Sequence, residues 1–298
     1  MMIYYTRTAP IFSGIFMGTF YIYMKIPEVS LNMLLVGLIL TKYVYYLGMA
    51  GMLIISLIIF RKLQLKLWHA LLFTVVAFLS DGLGAFLMGK VYTAFVASLG
   101  STQEANYSIY GAVFLTPVLI LISAAIIKQP WRNIIDMVAL SEMTARAFGK
   151  LSCHVGYCCA GFEWEHGVYN ARFDTNMFPT QLCEFFTMVI IIIVGFVILF
   201  RSKKYKPGTL YPLMALMYAG TRFFWEFTRF YNYEQEKNFF LGMTLWQVCS
   251  VIAAALAIVW LIGIKNNWLE KAQSYVLANQ YRKLEAQKAA NAKKKRKK

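Results

Sequence analysis

Charged residues are scarce in this sequence: they make up 15% of its 298 residues, whereas apolar residues make up 59%. This balance excludes an ordinary soluble domain. The sequence also lacks internal repeats, a linker that would divide it into two domains and, ahead of its first apolar segment, the basic region and cleavage site of a signal peptide. We therefore expect a single membrane domain without a cleaved leader.

Apolar runs, in contrast, are frequent and long. A membrane-crossing helix needs about 20 predominantly apolar residues. Seven segments satisfy this requirement, near residues 40–60, 68–89, 110–127, 138–158, 180–200, 208–229 and 243–264. The shorter segment from Pro10 to Met24 is interpreted as an interfacial or re-entrant element, with an eighth crossing as the alternative. The sequence thus predicts an all-α fold, a polytopic membrane helical bundle with about seven transmembrane helices.

Basic and acidic residues alternate between the segments that connect these runs. The basic connections contain Arg61, Lys62 and Lys66, then Lys128 and Arg132, then Arg201, Lys203, Lys204 and Lys206. The acidic connections contain Glu104, then Glu163, Glu165 and Asp174, then Glu234 and Glu236. The positive-inside rule predicts that the basic connections and the C-terminal tail lie in the cytoplasm and the acidic connections outside. With seven crossings, the N-terminus then lies outside.

The tail from Lys265 to Lys298 differs in composition from the rest of the chain. It ends in the basic run Lys293–Lys298 and contributes much of the net charge of +16. We interpret it as a solvated cytoplasmic anchor that is attracted to anionic lipid headgroups. Nucleic-acid binding is the alternative, but the sequence contains no nucleic-acid motif and no basic patch interleaved with aromatic residues. The expected partner of the tail is therefore the lipid bilayer and not a nucleic acid.

Three of the five cysteines are clustered in the sequence. The cysteines are Cys153, Cys158, Cys159, Cys183 and Cys249. Cys249 lies among apolar residues and is interpreted as packing. The Cys-x4-Cys-Cys cluster beside His154 contains soft ligands, but adjacent cysteines are poor joint ligands for one tetrahedral ion and Cys-x2-Cys pairs are absent. The sequence therefore predicts no metal site, with metal binding, a disulfide or redox role, and close helix packing as the alternatives.

Polar residues at the end of one apolar run form the most informative stretch. The run Gly149–Gly161 (GKLSCHVGYCCAG) combines a lysine, three thiols, an imidazole and three glycines. Polar groups at membrane depth are expensive and usually functional. This run therefore predicts a functional site.

Four motifs, taken in order along the chain, resemble those of a known family. They are Gly149–Gly161, Phe178–Glu184 (FPTQLCE), Tyr218–Arg229 (YAGTRFFWEFTR) and Gly242–Gln247 (GMTLWQ), and Asp136 precedes Lys150 by 14 residues. The first motif is similar to a cysteine-containing form of the signature Gly-Arg-Ile-Gly-Asn-Phe-x-x-Gly-Glu-x-x-Gly of the prolipoprotein diacylglyceryl transferases. The resemblance covers roughly residues 40–264.

Several positions depart from the pattern of that family. Lys150 replaces an arginine, which keeps the positive charge but loses the bidentate fork. Cys153 replaces an asparagine, and Cys158 replaces a glutamate. The His-Gly-Gly of the family appears as Tyr110-Gly111-Ala112. A tyrosine with an ordinary pKa of about 10 is a weak base at neutral pH, so we expect its phenol to orient a headgroup.

The resemblance implies an enzyme of the bacterial plasma membrane. It would transfer diacylglycerol from phosphatidylglycerol to the lipobox cysteine of prolipoproteins, and its partners would be phosphatidylglycerol, prolipoprotein signal peptides and the bilayer, without a cofactor. The alternatives are a paralogous lipid-headgroup transferase with another acceptor, or a non-catalytic or thiol-redox protein on the same scaffold. The expected domains are an N-terminal apolar segment at 1–39, a transferase-like domain at 40–264 and a basic tail at 265–298.

The candidate site residues follow from these motifs and from the needs of phosphate binding. Arginine suits phosphate because its planar fork forms paired hydrogen bonds. Arg222, Glu226 and Arg229 have the spacing of one helix face, which we expect to point into the bundle, with a structural ion pair and a snorkelling Arg229 as the alternative. The expected catalytic residues are Lys150, Arg222, Glu226 and Tyr110. The expected substrate-binding residues are Asp136, Arg146, Cys153, Cys158, Gly161, Gln181, Glu184, Tyr218, Arg229 and Gln247.

Overall fold

The computed structural model describes residues 28–98, 108–231 and 237–268 of the chain. The predicted interfacial segment from Pro10 to Met24 and most of the basic tail lie outside these residues, as do Glu104, Glu234 and Glu236. The predicted division into three domains therefore stays a prediction.

Seven α-helices of at least 16 residues form the described part of the fold. They are α1 Glu28–Ile59, α2 Leu67–Ser98, α3 Ile109–Ile126, α4 Trp131–Val155, α5 Thr180–Arg201, α6 Leu210–Trp225 and α7 Leu245–Lys265. Between α4 and α5 lies an antiparallel hairpin of β1 Glu163–Asn170 and β2 Thr175–Met177, and a 3-10 turn at Glu226–Thr228 follows α6. The prediction of an all-α membrane bundle is confirmed, with the hairpin as a small addition.

Five of the helices are long and apolar enough to cross a membrane, namely α1, α2, α3, α5 and α7. Their outward faces carry exposed large apolar side chains such as Ile39, Val75, Ile190 and Leu256. A water-soluble protein rarely exposes apolar patches of this extent, whereas lipid tails solvate them. The protein is a multi-pass membrane protein.

Helix α4 carries most of the buried charged residues of the bundle interior. Helix α4 packs against α1, α2, α3, α5 and α6, and its ionisable residues Asp136, Glu142, Arg146 and Lys150 are all buried. Charges in a membrane bundle face the interior because lipid cannot solvate them. The most polar helix is therefore the central one.

The helix boundaries differ from the predicted apolar windows. Helix α1 begins at Glu28 and not near residue 40, and α4 begins at Trp131 and not near residue 138. Hydropathy detects only the stretch that matches the hydrocarbon core, whereas backbone hydrogen bonding continues into the polar flanks. Helix α2, with 32 residues, is about 48 Å long and extends well beyond a core of about 30 Å.

The basic loops meet at one end of the bundle. The side-chain amide of Asn133 donates to the carbonyl of Leu63 at 2.8 Å, and the ammonium group of Lys62 lies 5.7 Å from the ring centre of Phe200. These contacts join the loop after α1 to the start of α4 and to the end of α5. We call this side of the molecule the basic end.

Candidate functional site

Most of the sequence-predicted residues lie toward the opposite end of the bundle from the basic end. Five charged side chains from α4, α5, α6 and the turn after α6 form one connected network there, which we call the Glu184 cluster. Its members are Lys150, Glu184, Arg222, Glu226 and Arg229. Glu184 and Glu226 are each 2% exposed, so the cluster is shielded from solvent.

Glu184 is the centre of this cluster. Its carboxylate lies 2.5 Å from Nζ of Lys150, 3.1 Å from Nη1 of Arg222 and 2.8 Å from Nη2 of Arg229. One buried carboxylate thus contacts three cations that come from three different parts of the chain. Opposite charges attract strongly in the low dielectric of the bundle interior, so this carboxylate holds the three cations at one point.

Glu226 is the second carboxylate of the cluster. It pairs with Arg222 and accepts hydrogen bonds from the hydroxyl groups of Tyr231 and, at 3.2 Å, of Thr244. Thr244 caps the N-terminus of α7 in a reciprocal capping box with Gln247. Gln247, a predicted substrate-binding residue, therefore positions the hydroxyl that contacts Glu226.

Arg229 does not lie on the helix that carries Arg222. Helix α6 ends at Trp225, and Arg229 has an extended backbone with φ −73° and ψ 141°. The predicted single helix face is therefore wrong for this residue. Its guanidinium still reaches Glu184, because the extended segment pairs with Gly161 and Nη1 of Arg229 donates to the carbonyl of Cys159 at 2.5 Å.

Gly161 permits this close approach of backbone segments. A Cβ atom there would lie 2.6 Å from both the hydroxyl oxygen of Thr180 and the carbonyl oxygen of Thr228. Side-chain contact at that distance is forbidden, so any other residue would push the segment with Arg229 away from α5.

Several buried donors in and near the Glu184 cluster have no acceptor among the described residues. They are Nε of Arg222, Nε of Arg229 and the hydroxyl of Tyr218, whereas Nη1 of Arg222 is ion-paired with Glu184 and Glu226. A buried donor without a partner costs roughly 1–3 kcal/mol. These donors are the hydrogen-bonding capacity of the cluster that its own residues leave unused.

Tyr110 lies deeper in the bundle, beside this cluster. Its side chain is fully buried, its hydroxyl is hydrogen-bonded to that of Ser250, and its ring stacks on Trp246 with 6.1 Å between ring centres. The ring of Tyr218 lies 6.3 Å away. Two phenols therefore line the inner side of the cluster.

A second charge cluster surrounds Arg146, one helical turn before Lys150. The guanidinium of Arg146 contacts Asp81 at 2.9 Å and Glu142 at 2.8 Å, and a narrow cavity lined by Glu142, Arg146 and Tyr218 lies next to it. Sequence reasoning missed Asp81. A single acidic residue within an otherwise apolar crossing was the available signal.

Asp136 is separated from both clusters. It lies near the basic end, where its carboxylate accepts hydrogen bonds from the hydroxyl of Tyr205 and from the backbone N–H groups of Gly208, Leu210 and Tyr211 at 2.6–3.0 Å. Burial, and then the negative charge of Asp136, raise the pKa of Tyr205 well above its usual range, so that this phenol stays a donor. The structure assigns Asp136 to capping the N-terminus of α6, a position where a carboxylate is favourable.

The remaining predicted residues lie in the turn that follows α4. The side-chain amide of Gln181 donates to the carbonyl of Cys158 at 2.5 Å. Hydrogen bonds with the Cys153 and Cys158 thiols hold the pKa of Cys159 well below its usual range, and Arg229 and Lys150 act in the same direction. The hydrogen bonds with Cys153 and Cys159 raise the pKa of Cys158.

Comparison with known proteins agrees with the motifs that meet in this site. Residues 30–263 match the family model described as prolipoprotein diacylglyceryl transferase. A search of curated proteins finds no match. The family match covers most of the chain and includes all seven helices except the first two residues of α1 and the last two of α7. The chain belongs to the prolipoprotein diacylglyceryl transferase family.

Proposed function

We propose that this protein transfers diacylglycerol from phosphatidylglycerol to the cysteine thiol of a prolipoprotein signal peptide, with the Glu184 cluster as the phosphate site. Family membership supports diacylglyceryl transfer as the reaction class. The identity of the donor and the roles of individual residues are our proposal, which rests on the charge and hydrogen-bonding state of the cluster.

The observation that carries the proposal is an excess of buried cationic donors. Lys150, Arg222 and Arg229 contribute +3 and Glu184 and Glu226 contribute −2, which leaves a net charge of +1. The two guanidinium groups also retain N–H donors without acceptors among the residues described. A phosphodiester supplies one negative charge and several acceptor oxygens, so it would neutralise the excess positive charge and accept hydrogen bonds from the unpaired N–H donors.

The chemistry requires a nucleophile, a leaving group and a place for one proton. The sulfur of the acceptor cysteine attacks the glycerol carbon that bears the phosphate, the C–S bond forms, and the C–O bond to phosphate breaks. Glycerol 1-phosphate leaves with the electron pair, and the thiol proton passes to a carboxylate. Cations placed over the phosphate stabilise the charge that develops on the leaving oxygen, where the low dielectric of the bundle strengthens their effect.

Individual residues take roles that fit their positions. Lys150, Arg222 and Arg229 hold the phosphate, and Glu226 is the proposed proton acceptor. Tyr110 and Tyr218 contact the glycerol part of the headgroup from the inner side. Arg146, in the adjacent charge cluster, faces the same cavity as Tyr218 and extends the polar surface available to the headgroup.

The remaining predicted residues support the site from its outer side. Gln181 and Gly161 hold the turn with Cys153 and Cys158 against α5 and against the segment of Arg229. We further propose that the basic end is cytoplasmic and that the site opens toward the outer leaflet, in keeping with the positive-inside rule.

The decisive test compares Arg222→Lys with Arg201→Lys. Arg222 is 6% exposed within the cluster, whereas Arg201 is an exposed residue at the end of α5. Both changes keep the charge, but only the first removes a guanidinium that we propose contacts phosphate through paired hydrogen bonds. We expect Arg222→Lys to lower the rate of transfer from labelled phosphatidylglycerol to a lipobox peptide by at least about tenfold. This loss corresponds to about 1.4 kcal/mol less stabilisation of the transition state.

The control is Arg201→Lys, which we expect to retain wild-type transfer at matched protein level in the membrane. Equal activity of both variants would contradict the phosphate site. Consumption of phosphatidylglycerol without labelling of the peptide would instead favour a paralogous transferase with another acceptor, the alternative suggested by the lysine at position 150.

A further inference from the structure

The turn after α4 brings three cysteine side chains together. The sulfur atoms of Cys153, Cys158 and Cys159 all lie within 4.8 Å of one another, so here the adjacent Cys158 and Cys159 do bring their sulfurs together, unlike the general expectation from their spacing. All three are free thiols in the structure. Among the described residues, no histidine, carboxylate or fourth cysteine belongs to the group. We call these residues the thiol cluster.

The backbone of this turn is held in an unusual conformation. Tyr157 and Cys159 have positive φ angles of 56° and 58°, a region that residues other than glycine rarely occupy. The N–H of Cys158 donates to the carbonyl of Cys153 at 3.0 Å, which folds the chain back over the end of α4. Such conformations cost roughly 1–3 kcal/mol each and persist only where surrounding contacts enforce them.

The enforcing contacts come from α5 and from the extended segment that contains Arg229. Gln181 holds the carbonyl of Cys158, and Arg229 holds the carbonyl of Cys159, each at 2.5 Å. The cluster is thus fixed at its backbone, while its sulfur atoms remain unengaged by disulfides. Ligands held in advance at the required geometry reduce the entropy that is lost when an ion binds.

From this arrangement we infer that the thiol cluster is a binding site for a soft, thiophilic metal ion of the d10 class, Zn(II) or Cu(I), with three cysteine sulfurs as ligands. Thiolate sulfur selects these ions over harder cations. Cu(I) is satisfied by three sulfurs, and Zn(II) with three protein ligands keeps a fourth position for water.

The positive charge around the thiol cluster and its exposure to solvent also favour a metal ion bound by thiolates. Three thiolates and Zn(II) carry a net charge of −1, and the positive charges of Arg229 and Lys150 act on Cys159. Cys159 is exposed and Cys153 and Cys158 are half-buried, so an ion can enter. The thiols release protons as they bind the metal, and affinity should therefore rise with pH.

The test measures metal binding directly, without lipid or peptide substrate. The full chain is purified in detergent micelles, reduced, incubated with Zn(II), or with Cu(I) under anaerobic conditions, separated from free metal and analysed by elemental mass spectrometry. We expect about one ion per chain. Cys153→Ser, Cys158→Ser and Cys159→Ser should each weaken binding by more than about tenfold against a competing chelator, since even outer contacts to a metal site change affinity by that amount.

Cys183→Ser and Cys249→Ser are the matched controls and should bind as the wild type does. A second measurement uses only the wild-type protein, so that it does not depend on whether the variants fold. Bound metal should protect the thiol cluster from alkylation and leave Cys183 as reactive as it is without metal. Failure of the wild-type protein to retain metal, equal retention by all five variants, or disulfides among the three cysteines in the freshly isolated protein would overturn the inference.

Discussion

Glu184 illustrates how much a single buried side chain can organise in this protein. Its neighbours in the Glu184 cluster come from α4, from α6 and from the extended segment after the 3-10 turn. Three cations around one point repel one another strongly at low dielectric. A carboxylate at their centre offsets this repulsion, so that Glu184 holds together the three cations that we propose bind phosphate.

Replacing Glu184 with glutamine should therefore destabilise the protein. The change keeps the shape of the side chain but leaves three buried cations with one carboxylate fewer, and loss of one partner in a buried ion pair costs about 3–5 kcal/mol. We expect a lower midpoint of thermal unfolding in detergent micelles, together with loss of transfer activity. Glu165→Gln, at an exposed position of β1, is the matched control and should leave both properties unchanged. Equal stability of the two variants would show that Glu184 is not needed to hold the cations.

At the scale of elements, the contact between α2 and α3 positions one side of the site. Gly84 and Gly111 bring the two backbones together so closely that a Cβ atom on Gly111 would lie 1.7 Å from the carbonyl oxygen of Gly84. Small residues allow such contacts between membrane helices. Tyr110 precedes Gly111, so the helix contact also determines where its phenol lies.

Gly111→Ala should force these two helices apart. Overpacking typically costs about 1–3 kcal/mol, and the shift should displace Tyr110 from Ser250 and lower transfer activity. Gly82→Ala, on the facing helix α2, is the control, since a Cβ atom there meets nothing within 4 Å. Alanine also has the higher helix propensity, so this variant should be as stable as the wild type or more stable. Unchanged activity in Gly111→Ala would contradict the role given to the helix contact.

At the scale of the whole molecule, the bundle is polarised along its long axis. The basic loops and the capping carboxylate of Asp136 lie at one end, and the hairpin, the thiol cluster and the Glu184 cluster lie toward the other. Under the proposed function, an anionic lipid substrate would meet the proposed catalytic groups at the end away from the basic loops. The positive-inside rule predicts that this end lies outside.

Cysteine-accessibility labelling should establish this orientation. A cysteine at Lys203, in the loop after α5, should react with a membrane-impermeant maleimide only after the cells are opened. A cysteine at Glu165, on the hairpin, should react in intact cells. Labelling of the wild-type protein provides the background from native cysteines. Reaction of the Lys203 position in intact cells would reverse the orientation and, with it, the proposed access of substrate from the outer leaflet.

Much of the architecture was predictable from local sequence. Long apolar runs imply membrane helices, because only a helix satisfies its own backbone hydrogen bonds in lipid. Arg222 and Glu226, on one predicted face, are both buried in the structure, since lipid cannot accept their charge. The hairpin after α4 escaped prediction because β2 has only three residues and β1 is largely exposed, so that neither strand shows a clear hydrophobic alternation.

The sequence by itself determined the helices, the family and the residue types available for chemistry, because each of these depends on neighbours along the chain. Only the tertiary structure decided which charges meet. Arg229 lies outside the helix of Arg222, yet both contact the carboxylate of Glu184. Asp136 caps a helix, and Asp81 pairs with Arg146. The sulfur atoms of three cysteines lie within 4.8 Å of one another. These pairings depend on contacts between distant segments, where packing and desolvation of the whole bundle select the partners.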